Sequence, residues 1–359
     1  MHRRAGEVIA QEGATSPYPL DETDRAIINL LSINSRLPLA LIARTIGRST
    51  EVVNYHYTQL RKHNVITDTF AVIDPRLLGI KRYTIYLQFH ALAPDKMHSI
   101  VSRFLANKHL CWLIESGGKW ELLLMIETLH EERLDELLET VMFPIRKYLN
   151  DYTVGLVRNF IHRGPRYVQL EHDRNLLKEE AKFPYFEELH APKTILRELD
   201  ARDIRLLKAL HDDARVSLSE LGTLVGLSPD AVNYRVKQLI RGAFIKGFII
   251  RLNYHLLGFQ YTSILVKLRN VSRKRRDEFL SHVYSNERFY STVEQIGEWD
   301  ISFLMYFISA KDLRDFLMAM KERFSDVIHS YETALHFDQH YFTYLCSGVI
   351  EELLVKYPL

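Results

Sequence analysis

The chain repeats itself. Leu20-Asp21 recurs as Leu199-Asp200, Asn54-Tyr55 as Asn233-Tyr234, Gln59-Leu60 as Gln238-Leu239 and Leu78-Gly79 as Leu257-Gly258, each time 179 residues further on. Gly118-Lys119-Trp120-Glu121 is answered by Gly297-Glu298-Trp299-Asp300 in the same register. One gap-free register over so long a span is an internal duplication, so whatever one half folds into, the other must also fold into. With 359 residues, each half has room for more than one core, since domains usually hold about 100–150 residues.

The second copy shows most plainly how a half begins. From Leu199 to Phe259, apolar residues recur at helical spacing through Ile204, Leu207 and Leu210, then Leu218, Leu221 and Val225, then Val232, Val236 and Leu239. Three short helices follow from that pattern. Between the second and third lies Gly226-Leu227-Ser228-Pro229, which combines a residue tolerant of a left-handed turn, an N-cap serine and a proline suited to the first helical position. That is a tight helix-turn-helix joint. Gly242 predicts a helix stop, and Phe244-Ile245-Lys246-Gly247-Phe248-Ile249-Ile250 predicts a hairpin wing.

Burying Val232, Val236 and Leu239 turns Asp230, Asn233, Tyr234 and Lys237 to solvent on the third helix. A DNA major groove can use such hydrogen-bonding, aromatic and cationic groups, although an ordinary solvated helix face carries the same residue types. The first copy differs where it matters: His56 stands for Arg235, Thr58 for Lys237, Arg48 for Leu227 and His63 for Gly242. Asn64 is expected to supply the left-handed stop there. Leu199–Phe259 carries nine Lys/Arg against six Asp/Glu, and Leu20–Ile80 seven against six, so phosphate binding is expected to be weaker in the first module.

After each such module comes a segment with its own pattern. In the first, Tyr83–His90 reads as a strand, Asp95–Ala106 as a helix, Leu110–Ser116 and Trp120–Glu127 as strands, Glu131–Leu149 as one longer helix and Tyr152–Ile161 as a last strand. The second repeats the order over Tyr261–Arg269, Lys274–Tyr284, Phe289–Gln295, Trp299–Ile308, Asp312–Phe324 and Val327–Asp338. A βαββαβ order gives a four-stranded antiparallel sheet with both helices on one face, the ferredoxin-like layout. Its other face must pack on something, and the second copy is the obvious partner. The predicted fold class is therefore α+β. A flexible arm covers 1–19, winged helices 20–80 and 199–259, ferredoxin-like domains 81–168 and 260–345, a helical linker 169–198 and a tail 346–359.

The residues of the second module resemble the Lrp/AsnC (feast/famine) family of transcription regulators. The likeness is carried by Leu199-Asp200 with Asp203 and Ile204, Asp213-Ala214-Arg215, Gly226-Leu227-Ser228, Arg235-Val236 and Leu257-Gly258. It implies a sequence-specific regulator whose partner is double-stranded DNA, with winged helices followed by RAM-type ferredoxin-like domains. Two such domains pair as in a dimer, here within one polypeptide. On that view Asn54, Tyr55, Asn233, Tyr234 and Lys237 reach base edges or backbone, Arg235 holds phosphate or braces its helix, and Arg241 and Arg251 add backbone contacts. The resemblance also nominates Gly118, Glu121, Gly297 and Asp300 for binding an amino-acid effector, where a glycine at a tight turn beside a packed tryptophan would serve folding alone. Further homo-oligomerisation is open. Two alternatives stand beside this one: an architectural DNA-binding protein without an effector, and a sirohaem decarboxylase, an enzyme that shares the domain pairing.

Composition trims the list. The net charge is +2, so any DNA footprint must be local rather than a field of the whole molecule. Two cysteines, Cys111 and Cys346, are too few for a disulfide framework and fit a reducing cytoplasm. The longest apolar run, Ile301 to Ile308, falls far short of the ~18 residues a membrane span needs, so no membrane partner is expected. No Gly-rich phosphate loop, nucleophile elbow, H-E-x-x-H or paired-cysteine zinc spacing occurs, and neither an enzymatic activity nor a cofactor is expected. His336, Asp338 and His340 alternate on the last strand with ligand-like spacing, yet solvated or interface histidines are the plainer reading and no metal site is expected. Arg273-Lys274-Arg275-Arg276 is read as a solvated turn.

Overall fold

The computed structural model describes residues 17–162, 198–286 and 288–358; the expected arm and linker fall almost entirely outside them. The first copy runs α1 (Glu22–Ile33), α2 (Leu39–Ile46), α3 (Thr50–Lys62), β1 (Ile66–Ile73), β2 (Lys81–Phe89), α4 (Pro94–Leu105), β3 (Leu110–Gly117), β4 (Leu122–Thr128), α5 (Leu134–Met142) and β5 (Leu149–His162). The second runs α6 (Ala201–Asp212), α7 (Leu218–Val225), α8 (Pro229–Arg241), β6 (Ile245–Leu252), β7 (Gln260–Leu268), α9 (Arg273–Ser285), β8 (Phe289–Ile296), β9 (Ile301–Phe307), α10 (Ala310–Phe324) and β10 (Ile328–Phe342). A last helix, α11 (Ser347–Lys356), occupies the stretch expected as a tail. These elements form two compact units, one spanning Ile80–His162 with Gly258–Val349 and the other built from the two helix-turn-helix modules.

In the helix-turn-helix unit, each module's three helices close over a core that includes Ile27, Leu31, Val53 and Leu60 in the first copy and Ile204, Leu207, Val232 and Leu239 in the second, all essentially inaccessible. Matching capping boxes start α1 and α6: Asp21 with Asp24, and Asp200 with Asp203. The turn before α8 is as its residues predict, with Gly226 left-handed at φ +68° and Ser228 capping a helix that opens on Pro229.

The wing differs from its expectation. Each copy contributes one strand instead of a hairpin, and β1 pairs antiparallel with β6. Ser35 N donates to Phe248 O at 2.8 Å and Ala214 N to Thr69 O at 3.0 Å, so each strand also takes a bond from the opposite copy. Arg36 and Arg215 reinforce the exchange, Arg36 reaching the carbonyls of Ala214 and Val216, and Arg215 those of Ser35 and Leu37. Among the described residues neither strand has a partner within its own copy, so the two modules form this sheet by joining. The stop after α8 differs as well: Gly242 lies at φ −76°, and the next residue, Ala243, takes the left-handed conformation at φ +59°, as Asn64 does at φ +56°.

In the second unit the eight strands close into a barrel in the order β10-β3-β4-β2-β5-β8-β9-β7. Each βαββαβ half keeps the antiparallel arrangement its order predicts. The long strands β5 and β10 each pair first with their own copy's β2 or β7, then run on to pair with β8 or β3 of the other copy. Helices α4 and α5 pack on one half's outer face and α9 and α10 on the other's, over cores centred on Leu87, Leu124 and Phe104, and on Phe279, Phe303 and Phe324. The long helix expected over Glu131–Leu149 is broken into α5 flanked by 3-10 turns. Pro144 lies in the second turn, where its missing N–H ends the helical ladder.

Candidate nucleic-acid interface

The faces that a helix-turn-helix would present are α3 and α8. Asn54, Tyr55, Tyr234 and Lys237 are exposed and Asn233 is half-buried, with Tyr55 and Tyr234 about equally bare at 62% and 61%. Their apolar partners Val53, Val232, Val236 and Leu239 point into the core, as a helical period requires. Arg241, at the end of α8, is also exposed, and Lys62 occupies the same place in the first copy.

Two nominated arginines lie elsewhere. Arg235 reaches back to α6, with Nη1 2.9 Å from Asp200 Oδ2 and 3.0 Å from Asp203 Oδ1. Burial alone would lower its pKa, but the two carboxylates outweigh burial and raise it, so the guanidinium ties α8 to α6. Arg251 is nearly buried in the two-stranded sheet, with Nη1 3.1 Å from Asp68 Oδ2 and its guanidinium 5.1 Å from the centre of the Phe70 ring. Its charge is used inside the unit, so the expected backbone contact is corrected.

Arg44 and Arg48 of the first copy were not nominated, yet both are exposed at the end of α2 and the turn before α3. The second copy has Thr223 and Leu227 at those places. The signal was visible as a departure from the family pattern, but it marks a displaced charge rather than a lost one. The first module thus has cations beside its third helix at Arg44, Arg48 and Lys62, and the second at Lys237 and Arg241.

The nominated effector residues lie at the β3–β4 and β8–β9 turns. Glu121 Oε2 accepts from Phe89 N at 2.7 Å, and Asp300 Oδ2 accepts from Leu268 N at 2.8 Å while Oδ1 meets Lys267 Nζ at 3.2 Å. The longer glutamate and the shorter aspartate therefore end on the equivalent backbone N–H. Gly118 sits at φ +119°, where any side chain is strained, and a Cβ at Gly297 would come within 3.1 Å of Gly155 Cα. The chain path favours glycine at position 118 through its positive φ, and at position 297 it brings the backbone of Gly155 close.

The barrel interior mixes polar and apolar side chains, with Met125, Phe160, Val293, Leu304 and Phe342 beside tyrosines, serines and a histidine. Gln295 spans the two copies, accepting from Thr84 Oγ1 at 2.6 Å and donating to Tyr86 Oη at 3.4 Å, and burial pushes the Tyr86 phenol up to about 12. A cavity of about 30 Å³ lies among Tyr86, Trp112, His162, Ser263, Tyr290 and Ser302, enough for a water or two. His336 Nε2 shares a hydrogen with Ser263 Oγ at 2.7 Å, and burial drives the imidazole down to about 3. A bulge separates His336 from Asp338, and His340 turns to Glu115 at 3.3 Å, so the three residues do not converge on an ion. In the basic run, Arg275 is committed to Asp326 and Glu278.

Two modules of one helix-turn-helix class, joined to two ferredoxin-like halves, define a duplicated helix-turn-helix protein. The profile of the AsnC-type helix-turn-helix domain matches residues 20–61 and 199–240. The HTH-type transcriptional regulator AldR of Mycolicibacterium smegmatis is 29% identical over 150 residues, 41% of this chain and 87% of that protein. An uncharacterized HTH-type transcriptional regulator of Pyrococcus abyssi is 30% identical over 121 residues, 33% of this chain and 78% of its own length. The chain belongs to the Lrp/AsnC family, and a relative's length corresponds to roughly one of its two copies. Among solved structures, the sirohaem decarboxylase NirDL superposes with a TM-score of 0.59 over 93% of this chain and 99% of its own, at 11% identity. That is a likeness of fold. No helix among the described residues is long and apolar enough to cross a membrane.

Proposed function

We propose that the protein is a sequence-specific regulator that binds double-stranded DNA as an intramolecular pseudo-dimer. The observation that carries this reading is the pair of outward faces, Asn54 with Tyr55 and Asn233 with Tyr234 and Lys237, mounted on two modules that share one strand pair. Each third helix would offer its face to one half-site, with Lys62, Arg44 and Arg48 or Arg241 holding the flanking phosphates. Joining the modules makes the second contact intramolecular and raises its effective concentration without any new interface.

Selection of bound duplexes from a random pool tests it: two related half-sites are expected, and a product with no preferred sequence would overturn the reading. On the selected site, Asn233→Ala with Lys237→Ala should weaken binding by more than about 1–3 kcal/mol, the range for a good base contact. Affinity should fall steeply with salt. An amino-acid effector enters on family likeness, and a rise in melting midpoint with one amino acid but not others would support it.

A tetrapyrrole decarboxylase is the second reading, prompted by His162 and His336 buried inside the barrel. A ligand site for a molecule of that size needs several hundred Å³, against a cavity of about 30 Å³, so the barrel would have to open. Protein that takes up no colour from sirohaem would exclude it.

A further inference from the structure

In both copies the third helix is tied back to the capping box of the first helix, but the tie differs in kind. In the second copy the guanidinium of Arg235 fills the gap between Asp200 and Asp203. In the first, position 56 is histidine: His56 Nδ1 lies 2.9 Å from Asp24 Oδ1 and 3.8 Å from Asp21 Oδ2. The capping box fixes both carboxylates, because Asp21 Oδ1 accepts from Asp24 N at 2.8 Å and Asp24 Oδ2 from Asp21 N at 3.2 Å. One oxygen of each aspartate is left facing the imidazole. The three donor atoms lie within 4.8 Å of one another, and Asp24 is buried, its side chain only 8% exposed.

A buried carboxylate needs a cation or a full set of hydrogen bonds. The equivalent pair in the second copy has a permanent cation in place. The first copy offers a single imidazole nitrogen in place of the guanidinium, 2.9 Å from one carboxylate oxygen and 3.8 Å from the other. We propose that a divalent transition-metal cation binds Asp21, Asp24 and His56, where the guanidinium stands in the other half. Ligand atoms that share a tetrahedral ion with bonds of about 2.0–2.2 Å lie roughly 3.3–3.6 Å apart; the imidazole nitrogen lies 2.9 and 3.8 Å from the two carboxylate oxygens and all three atoms lie within 4.8 Å of one another, so the side chains must adjust to share one ion. One nitrogen and two carboxylate oxygens are a donor set that Zn²⁺ and its first-row neighbours accept. Asp21, with its side chain 57% exposed, leaves solvent an approach to the fourth position. The ion would clamp α3 onto α1 as Arg235 clamps α8 onto α6.

The test uses the full chain without DNA, so failure of the regulator reading would leave it untouched. Titration calorimetry with Zn²⁺ should show a site in the wild type that is weakened at least about 10–100-fold in His56→Ala, as expected when a metal's ligand set is disturbed. His56→Arg should abolish the same site while keeping the metal-free melting midpoint at or above that of the wild type, because it installs the second copy's own solution. Co²⁺ should give tetrahedral visible bands that disappear in both variants. Zinc binding that is absent from the wild type, or that survives unchanged in a folded His56→Arg protein, overturns the proposal.

Discussion

The two halves of the barrel solve one packing problem in two ways. Arg82 and Glu127 stand opposite each other on β2 and β4, and the equivalent places on β7 and β9 are held by Tyr261 and Tyr306. The first pair is a buried ion pair, Arg82 Nε to Glu127 Oε1 at 2.9 Å, with the guanidinium over the Phe160 ring. Burial alone would lower the pKa of Arg82, and Glu127 more than offsets it, so the net shift is upward. The second is an edge-to-face aromatic pair with ring centres 4.7 Å apart. The shared requirement is filled volume, and charge is dispensable to it. The difference lies in dependence: each member of the ion pair needs the other, whereas a ring that loses its neighbour leaves only a void.

The largest effect should come from breaking that dependence. Glu127→Gln leaves the Arg82 charge buried without its counter-ion and should cost about 3–5 kcal/mol in urea unfolding. Arg82→Tyr combined with Glu127→Tyr, which copies the other half, should cost much less than the single change. A loss below about 1 kcal/mol for Glu127→Gln would mean that water reaches the pair.

The next effect sets His336 against its counterpart Val157. Held near 3 by burial, His336 stays neutral in the folded chain while the unfolded chain takes up a proton below about 6.5. Between those values the unfolded state binds more protons, so stability falls on acidification, by about 1.4 kcal/mol per pH unit and about 2 kcal/mol by pH 5. His336→Gln should flatten the pH dependence by one proton over that window, and an unchanged slope would refute the assignment. Smallest is the helix stop: Ala243→Gly should stabilise by about 0.5–1 kcal/mol by relieving the left-handed strain, and Asn64→Gly by less, since asparagine tolerates that conformation. Equal gains at both sites would erase that distinction.

Much of this architecture is legible in the amino-acid order. Periodicity places most helices and strands to within a few residues, as with Tyr83–His90 expected and Lys81–Phe89 observed, because side-chain alternation and helical spacing are local properties; the helix expected over Glu131–Leu149 is the exception, ending at Met142. Partnership is not local. Nothing in Ile245–Leu252 says that its mate is Ile66–Ile73 and not a hairpin arm of its own. Arg251 likewise finds Asp68 across 183 residues, where composition alone suggests a free cation. Arg235 was named correctly as a charge on the third helix, but its role follows from Asp203, whose carboxylate is inaccessible only in the folded state. Arg48 reads as a mismatch in one dimension and as an exposed cation in three.

The meeting of β3 with β10 sets a timetable for the ribosome. Gly117 pairs with Leu335, so one margin of the first platform stays bare until the final strand has been translated. At about 5–20 residues per second that interval is roughly 10–40 s, during which a nascent chain shows an open row of amide and carbonyl groups to its surroundings. Fusion removes the search for a second subunit and replaces it with a wait.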